Sequence, residues 1–201
     1  MASRGRKSNL VNGNLRLLKG RKIKSPKGKN TRPTTARVRE SVINLVRTKL
    51  KGCEWLDLFS GSGVMGCEAI ENGAKRVIAV ESNYMTAEIC KSNLMKVSSS
   101  QTNKCVDIEV VCKEVISFLR SARNEGRSST PKQNKFDLIY LDPPYESNLY
   151  SLVLDQLSQG NFLKNESIII CEYSTEMGLE PPKKWKEIDR RVYGSTSILL
   201  L

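Results

Sequence analysis

The stretch WLDLFSGSG, residues 55–63, decides the fold. An apolar segment, Trp55–Phe59, leads directly into a turn containing two glycines, and a helical pattern begins at Val64. Gly61 and Gly63 allow the backbone to turn tightly and to approach a ligand closely, while the N-terminus of the following helix offers unpaired N–H groups. A strand, a glycine turn and a helix in this order predict the first unit of an α/β fold with a parallel sheet.

The same alternation of apolar runs and helical stretches continues along the chain. The candidate strands are Trp55–Phe59, Arg76–Val80, Ile108–Val111, Phe136–Leu141 and Ser167–Cys171. The candidate helices are Val64–Asn72, Tyr84–Val97, Glu114–Arg123 and Leu149–Gly160. Two last segments, Lys186–Asp189 and Val192–Leu201, flank Arg190-Arg191 and predict an antiparallel hairpin. We therefore predict an α/β domain over residues 52–201, in which helices cover a mostly parallel sheet.

The first quarter of the chain has a different pattern. Residues 1–13 are polar and basic, which predicts a flexible arm. Residues 14–24 alternate around Lys19-Gly20 and predict a small basic hairpin. Thr34 or Thr35 is the expected N-cap of a helix whose apolar face runs from Val38 to Leu50. The opposite face of that helix is predicted to carry Arg37, Arg39 and Arg47.

The positive charge is concentrated in this region. The chain has 201 residues and a net charge of +12. Residues 1–51 contain 16 Lys and Arg against one acid, Glu40, whereas the remainder contains 17 against 20 acids. A basic block joined to a nearly neutral domain indicates a polyanionic partner, and nucleic acid is favoured over a membrane surface. We interpret residues 14–51 as an RNA-binding extension; a solvated tail that only aids solubility is the alternative.

Several classes of protein are excluded by what the chain lacks. It contains no His, which argues against a Ser/His/Asp triad. Its six Cys include no CxxC pair, so a Cys/His zinc site is not expected either. Scattered Cys of this kind favour a reducing compartment. No apolar run is long enough to span a bilayer, and the N-terminus has no signal-peptide pattern. We expect a cytoplasmic, monomeric protein without a bound metal or a membrane partner.

Acidic residues at the ends of the first two strands suggest a cofactor site. Asp57 lies inside the first strand before the glycine turn, and Glu81 ends the second strand 20 residues after Gly61, where it can accept hydrogen bonds from ribose hydroxyls. The glycine pattern is not a clean dinucleotide motif. S-adenosylmethionine carries an ammonium, a carboxylate, a ribose and an adenine, so Asp57, the turn and Glu81 suit it. A plain strand-to-helix turn with a surface Glu is the alternative.

The most specific motif is Asp142-Pro143-Pro144-Tyr145, directly after the apolar strand Phe136–Leu141. Open α/β sheets bind ligands at this carboxyl edge. The two prolines fix the backbone and remove two N–H donors, so the loop presents acceptors only. The Asp142 carboxylate and the Pro143 carbonyl can both accept from one exocyclic NH₂ group, and Tyr145 can stack on its base. A turn that merely ends the strand is the alternative.

Taken together, DLFSGSG, Glu81 and DPPY resemble the class I S-adenosylmethionine-dependent amino-methyltransferases. The upstream RPTTARVRE, residues 32–40, and the basic hairpin before it resemble one branch, the bacterial ribosomal small-subunit methyltransferase D family, which methylates a guanine N2 of 16S rRNA. The resemblance runs from about Leu15 to Leu201. It implies a Rossmann-like methyltransferase fold, with a seven-stranded sheet, helices on both faces and the final hairpin as its antiparallel edge.

The resemblance also implies residue roles, which we state as expectations. The cofactor-binding residues are Asp57, Phe59, Gly61, Ser62, Gly63, Glu81 and, in the adenine-contacting position, Glu114. The residues around the target guanine are Asp142, Pro143, Pro144 and Tyr145. From the charge of the basic extension, rather than from the resemblance, we expect a further set of residues to hold phosphates of 16S rRNA or of the assembling small subunit: Arg21, Lys22, Lys24, Arg32 and Arg37.

Two other functions fit parts of the same pattern. DPPY also occurs in DNA adenine-N6 and cytosine-N4 methyltransferases, although this short chain has no target-recognition domain. A non-catalytic RNA-binding assembly factor that has kept the fold is the second alternative.

Overall fold

The computed structural model describes residues 11–26, 34–101, 105–125, 135–144 and 148–201. The strands are β1 Val11–Arg16, β2 Lys22–Pro26, β3 Glu54–Leu58, β4 Arg76–Glu81, β5 Asp107–Cys112, β6 Phe136–Leu141, β7 Leu163–Ser174, β8 Asp189–Tyr193 and β9 Thr196–Leu200. The helices are α1 Ala36–Leu45, α2 Arg47–Leu50, α3 Val64–Glu71, α4 Tyr84–Ser98, α5 Val115–Glu125 and α6 Asn148–Gln159.

In the described part of the chain, the main sheet has seven strands in the order β5-β4-β3-β6-β7-β9-β8. The first five strands in this order, from β5 to β7, are parallel, and β9 and β8 add an antiparallel edge. This arrangement confirms the predicted Rossmann-like class I methyltransferase fold. The chain starts the sheet in its centre with β3, builds outward to β5, and then returns to add β6 on the other side of β3.

Each face of the sheet is covered by its own hydrophobic cluster, which confirms that helices lie on both faces. One cluster joins β3 to α1, α3 and α4, with Trp55 fully buried at its centre. The other joins the sheet to α5 and α6. Burying one such large side chain stabilises the fold by about 1.5–3 kcal/mol. No helix in the described ranges is both long and apolar enough to cross a membrane.

The predicted N-terminal hairpin is confirmed, with wider bounds. Strand β1 begins at Val11, inside the arm predicted over residues 1–13, and the rest of that arm lies outside the described residues. Gly20 has a φ of 86° in the turn to β2, a conformation that glycine adopts without strain. Leu17 and Ile23 are buried in the cluster that also covers the main sheet. The extension predicted over residues 14–51 therefore packs against the domain predicted over 52–201, and the division between them stays a prediction.

The helix after this hairpin has one of the two predicted N-caps, and it differs from the prediction in two other respects. Thr35 is the N-cap, because its hydroxyl oxygen accepts a hydrogen bond from the Val38 N–H at 3.3 Å. The helix is not continuous to Leu50 but breaks at Val46 into α1 and α2. The placement of Arg39 on the outer face was wrong, since Arg39 is only 4% exposed.

Arg39 is buried because it joins three parts of the chain. Its Nε donates to Glu68 Oε1 of α3 at 3.2 Å, and its two terminal nitrogens donate to the carbonyls of Thr34 and Arg16, both at 2.6 Å. Glu68 Oε1 also accepts from the Leu18 N–H at 3.0 Å. The helix, the preceding loop and the hairpin are thus held together by one buried, hydrogen-bonded ion pair.

The C-terminal hairpin exists, but its position was predicted wrongly. Arg190 and Arg191 lie within β8 rather than in the turn, which is formed at Gly194 with a φ of 66°. As β8 is the edge of the sheet, none of its residues is fully buried, and a polar arginine pair is compatible with a strand there. Strand β7 also starts earlier than predicted, at Leu163, and its pairing with β6 is irregular near Glu166, whose φ is 59°.

Candidate active site at the carboxyl edge of the sheet

The sheet topology places the predicted site at the centre of the sheet. Strand β3 pairs with β4 on one side and with β6 on the other, so the connections leave it in opposite directions. A crevice for ligands forms at such a switch point, outside the carboxyl ends of the strands. Leu58 at the end of β3 pairs with Leu141 at the end of β6. The glycine turn and Asp142 consequently leave the sheet side by side.

The turn after β3 has an unusual backbone. Phe59, Gly61 and Gly63 have positive φ values of 66°, 52° and 74°. Phe59 is not a glycine, and a bulky residue in this region stores strain of the kind that is common at ligand sites. Apart from its two chain neighbours, no described residue has an atom within 4 Å of the Cβ that an alanine would place at position 61. At position 63 that Cβ would lie 2.6 Å from Cys90 Sγ, so a side chain there would clash.

Asp57 is a buried acid with one oxygen left for a ligand. The residue is 1% exposed, and its Oδ2 accepts from the Gly66 N–H of α3 at 3.2 Å. Its Oδ1 has no hydrogen-bond partner among the described residues. Burial raises the pKa of Asp57 to about 8; the Gly66 hydrogen bond lowers the pKa and the charge of Glu81 raises it. A buried oxygen without a partner fits a cationic or hydrogen-bonding group of a ligand.

Glu81 stands at the end of β4 and already holds the turn. Its Oε2 accepts from the Gly61 N–H at 3.0 Å, and its Oε1 accepts from the Asn83 N–H at 2.8 Å. A carboxylate can accept about four hydrogen bonds, so two positions are left for hydroxyl donors. Glu114 follows β5, the next strand outward, with an exposed side chain, while its carbonyl accepts from Phe118 at the start of α5. Glu81 and Glu114 therefore end adjacent strands at the same edge.

The loop after β6 carries the predicted acceptors. Burial, together with the charges of Glu172 and Asp57, raises the pKa of Asp142 well above its ordinary value. The electrostatic influence of Asp57 on Asp142 agrees with the register, which brings the ends of β3 and β6 together. Pro143 is buried and Pro144 is exposed, while Tyr145 lies outside the described residues.

Glu172 was missed by the sequence analysis. It is 7% exposed near the end of β7, where the adjacent pair Leu141 and Cys171 shows that it stands beside Asp142. Tyr140 donates its hydroxyl to Glu172 Oε2, and Tyr150 donates to the Glu172 carbonyl. The available sequence signal was that Glu172 directly follows the predicted apolar strand Ser167–Cys171. Thr34, which precedes α1, lies close enough to Tyr140 to lower the pKa of its phenol, so the N-terminal extension reaches the site.

The predicted phosphate-binding cations have different environments. Lys22 and Arg37 are exposed. Arg21 Nε donates to the buried Glu71 Oε1 at 2.8 Å, and Lys24 Nζ donates to Ser92 Oγ at 3.1 Å. Arg32 lies outside the described residues. Arg21 and Lys24 thus anchor the hairpin to the domain, and an additional role of these five cations in binding phosphates stays a prediction.

The chain is similar to known proteins over nearly its whole length. A family model described as conserved hypothetical protein 95 matches residues 11–201. The ribosomal RNA small subunit methyltransferase D of Haemophilus influenzae is 32% identical over 186 residues, which cover 92% of this chain and 89% of that protein. The Escherichia coli structure described as "putative methyltransferase yhhF" has a TM-score of 0.76 at 25% identity, covering 94% of this chain and 97% of that chain. A further solved structure, described as "a putative methyltransferase complexed with SAH", has a TM-score of 0.63 and covers 89% of this chain and 53% of its own; at 16% identity it shows the fold alone.

Proposed function

We propose, since this chain belongs to the ribosomal RNA small subunit methyltransferase D family, that it methylates the exocyclic N2 of a guanine in 16S rRNA with S-adenosylmethionine as the methyl donor. One observation carries the proposal: β3 and β6 pair up to Leu58 and Leu141, so Asp57, whose buried Oδ1 has no partner among the described residues, lies beside the loop that begins at Asp142. A cation-binding acid and an amine-accepting loop thus share one crevice.

The residues present fit the cofactor. Asp57 Oδ1, which lacks a partner among the described residues, would receive the ammonium of the methionine portion. The open space at Gly61 would admit that portion against the backbone, with Phe59, Ser62 and Gly63 shaping the turn. Glu81 would accept from the ribose hydroxyls. When bound, S-adenosylmethionine supplies a methyl group activated by a positively charged sulfur.

The loop after β6 would hold the target amine. The Asp142 carboxylate and the Pro143 carbonyl accept hydrogen bonds from the exocyclic NH₂ group, which fixes its orientation. The amine becomes more positive as its new bond to carbon forms, so an ionised Asp142 stabilises the transition state more than the ground state. The amine must lose one proton during the transfer, and the Asp142 carboxylate that accepts its hydrogen bond is placed to take that proton. Positioning of the two reactants can supply a further ~7–11 kcal/mol.

The basic extension would hold the RNA. Lys22 and Arg37 are exposed on the hairpin and on α1, and the net charge of residues 1–51 favours a phosphate backbone. The base must lie in an accessible loop or be flipped out of its stack to reach Asp142.

A transfer assay with labelled cofactor tests the substrate class. Assembled small subunits and naked 16S rRNA, both from a strain lacking the enzyme, are compared with duplex DNA. We expect label in the RNA samples and N2-methylguanosine on mass spectrometry of the digested nucleosides. Label in DNA alone, or a different methylated nucleoside, would reject the assignment.

The variant Asp142→Ala tests the catalytic loop. Removing one group that stabilises transition-state charge typically lowers kcat by about 10²–10³-fold. We expect this loss with little change in the Kd for small subunits. If Asp142→Ala complements a deletion strain fully, the protein acts as a non-catalytic assembly factor instead.

A further inference from the structure

A buried asparagine joins the N-terminal hairpin to the glycine turn. Asn93 lies in the middle of α4 and is 1% exposed. Its Oδ1 accepts from the Lys24 N–H at 2.9 Å, and its Nδ2 donates to the Lys24 carbonyl at 2.9 Å. The same Nδ2 donates to the Ser62 carbonyl, also at 2.9 Å. One amide group therefore bonds β2 and the turn after β3 at once.

The geometry uses the full donor capacity of the side chain. An asparagine amide has two N–H donors and one carbonyl oxygen, and both donors of Asn93 go to backbone carbonyls. Toward Lys24 the amide supplies one donor and one acceptor, as an adjacent antiparallel strand would. Toward Ser62 it fixes the carbonyl that lies between Gly61 and Gly63, both of which have positive φ. The position of the hairpin and the conformation of the turn consequently depend on the same group.

Two further residues of α4, Ser92 and Lys96, form hydrogen bonds to the hairpin. Ser92 Oγ accepts from Lys24 Nζ at 3.1 Å, and Lys96 Nζ donates to the Lys22 carbonyl at 2.7 Å. These contacts involve exposed side chains, whereas the bond from Asn93 to Ser62 is buried. Among the described residues, Ser92 hydrogen-bonds to the hairpin and not to the turn, so it offers a neighbouring position for a control variant.

We propose that Asn93 is a positioning residue that couples cofactor binding at the glycine turn to RNA binding at the hairpin, so that each ligand increases the affinity for the other. A bound cofactor orders the turn and fixes the position of the Ser62 carbonyl. The fixed carbonyl restricts the Asn93 amide, and the amide in turn restricts strand β2 through Lys24. A second ligand then meets a surface that is already ordered. The inference rests on the proposed function in assigning RNA to the hairpin.

Reciprocal binding measurements test the coupling. The Kd of S-adenosylhomocysteine, which permits no turnover, is measured with and without small subunits from the deletion strain, and the Kd of those subunits with and without S-adenosylhomocysteine. Linkage requires the same factor in both directions, and a factor of about 5 or more is expected for a coupled pair of sites. A factor of one in the unaltered protein overturns the proposal.

Two variants assign the coupling to Asn93. Asn93→Leu keeps the approximate size of the side chain and removes all three hydrogen bonds, so the coupling factor should fall to about one. Ser92→Ala is the matched control, because it removes a contact to the hairpin alone and should keep the factor of the unaltered protein. If Asn93→Leu folds, as its thermal unfolding will show, and retains the full factor, Asn93 does not carry the coupling.

A hydrogen-exchange experiment needs neither a variant nor RNA. S-adenosylhomocysteine should slow amide exchange in a peptide covering β2 as well as in the glycine turn, with a peptide from α6 as the reference. Protection of the turn without β2 would overturn the link between the two elements. Protection of both elements, combined with no label in RNA in the transfer assay described above, would keep the link and reject the proposed substrate instead.

Discussion

Asp57 should make cofactor binding depend on pH. Its pKa is raised to about 8, chiefly by burial, so the carboxyl group is mostly protonated at neutral pH before the cofactor binds. With a pKa of 8, the ionised fraction is about 1% at pH 6, about 10% at pH 7 and about half at pH 8. If the ionised form receives the ammonium, the affinity should rise about tenfold from pH 6 to 7 and about fivefold more to pH 8.

The ligand contributes its own titration, which sets the range of the assay. An α-amino group has an ordinary pKa of about 7.7–8.0, so its ammonium is lost above that range and the gain at pH 8 is partly offset. Isothermal titration calorimetry between pH 6 and 7.5, in two buffers with different ionisation enthalpies, counts the protons released. About one proton should leave the protein per bound cofactor at pH 6.5.

The variant Asp57→Asn is the control. It keeps the shape of the side chain and cannot ionise, so the proton release should disappear and the affinity should be lower at pH 7.5 and nearly constant from pH 6 to 7.5. An unaltered protein whose Kd is the same at pH 6 and 7, or an Asp57→Asn protein that still releases a proton, would refute the role of Asp57 as the cation acceptor.

The same group makes a prediction for stability. The folded pKa of Asp57 is above its ordinary value of 3.8, so between about pH 4 and pH 8 the folded state binds a proton that the unfolded state has lost. The free energy of unfolding contributed by Asp57 therefore falls as the pH rises through this window. Thermal unfolding without cofactor should show the Tm of Asp57→Asn increasing, relative to the unaltered protein, from pH 5 to pH 8.

Three further predictions concern stability and RNA binding. Arg39→Ala leaves Glu68 buried without its cation and should lower the free energy of unfolding in urea by about 3–5 kcal/mol; a loss below about 1 kcal/mol would contradict the importance of the ion pair. Gly63→Ala should lower the free energy of unfolding in urea by roughly 1–3 kcal/mol because of the positive φ, and further because of the contact with Cys90 Sγ. Adding Cys90→Ala should relieve the contact alone and therefore restore only part of that loss. Lys22→Ala should weaken binding to small subunits and reduce the salt dependence of log Kd by about one; an unchanged slope would show that Lys22 contacts no phosphate.

The positions of the predicted cofactor-binding residues on the sheet could be read from the sequence because their signals are local, whereas their role in binding a cofactor stays a prediction. Asp57, the glycine turn and Glu81 each follow from the pattern of one strand and the residues directly after it. The carboxyl ends of parallel strands meet at one edge, so three local patterns were enough to bring these residues together. The structure adds that Glu81 holds the Gly61 N–H, which the spacing did not reveal.

The buried polar contacts could not be predicted in the same way. Arg39 and Glu68 are 29 residues apart, and Tyr140 and Glu172 are 32 apart. A helical pattern shows which side chains share a face, but the partner that makes burial of a charge tolerable comes from another element. Arg190 and Arg191 were placed in the turn of the hairpin rather than in β8, because a strand at the edge of a sheet needs little apolar sequence to mark it.

The central position of β3 has a consequence for the newly made protein. The ribosome releases β3, β4 and β5 before β6, and N-terminal parts of a chain tend to begin folding during synthesis. Until β6 emerges, the backbone of β3 has one flank without its neighbour, and an unpaired flank of an apolar strand is where chains associate wrongly. Substitutions that slow the pairing of β6 with β3 should therefore lower the soluble yield from cells more than their effect on the stability of the folded protein would suggest.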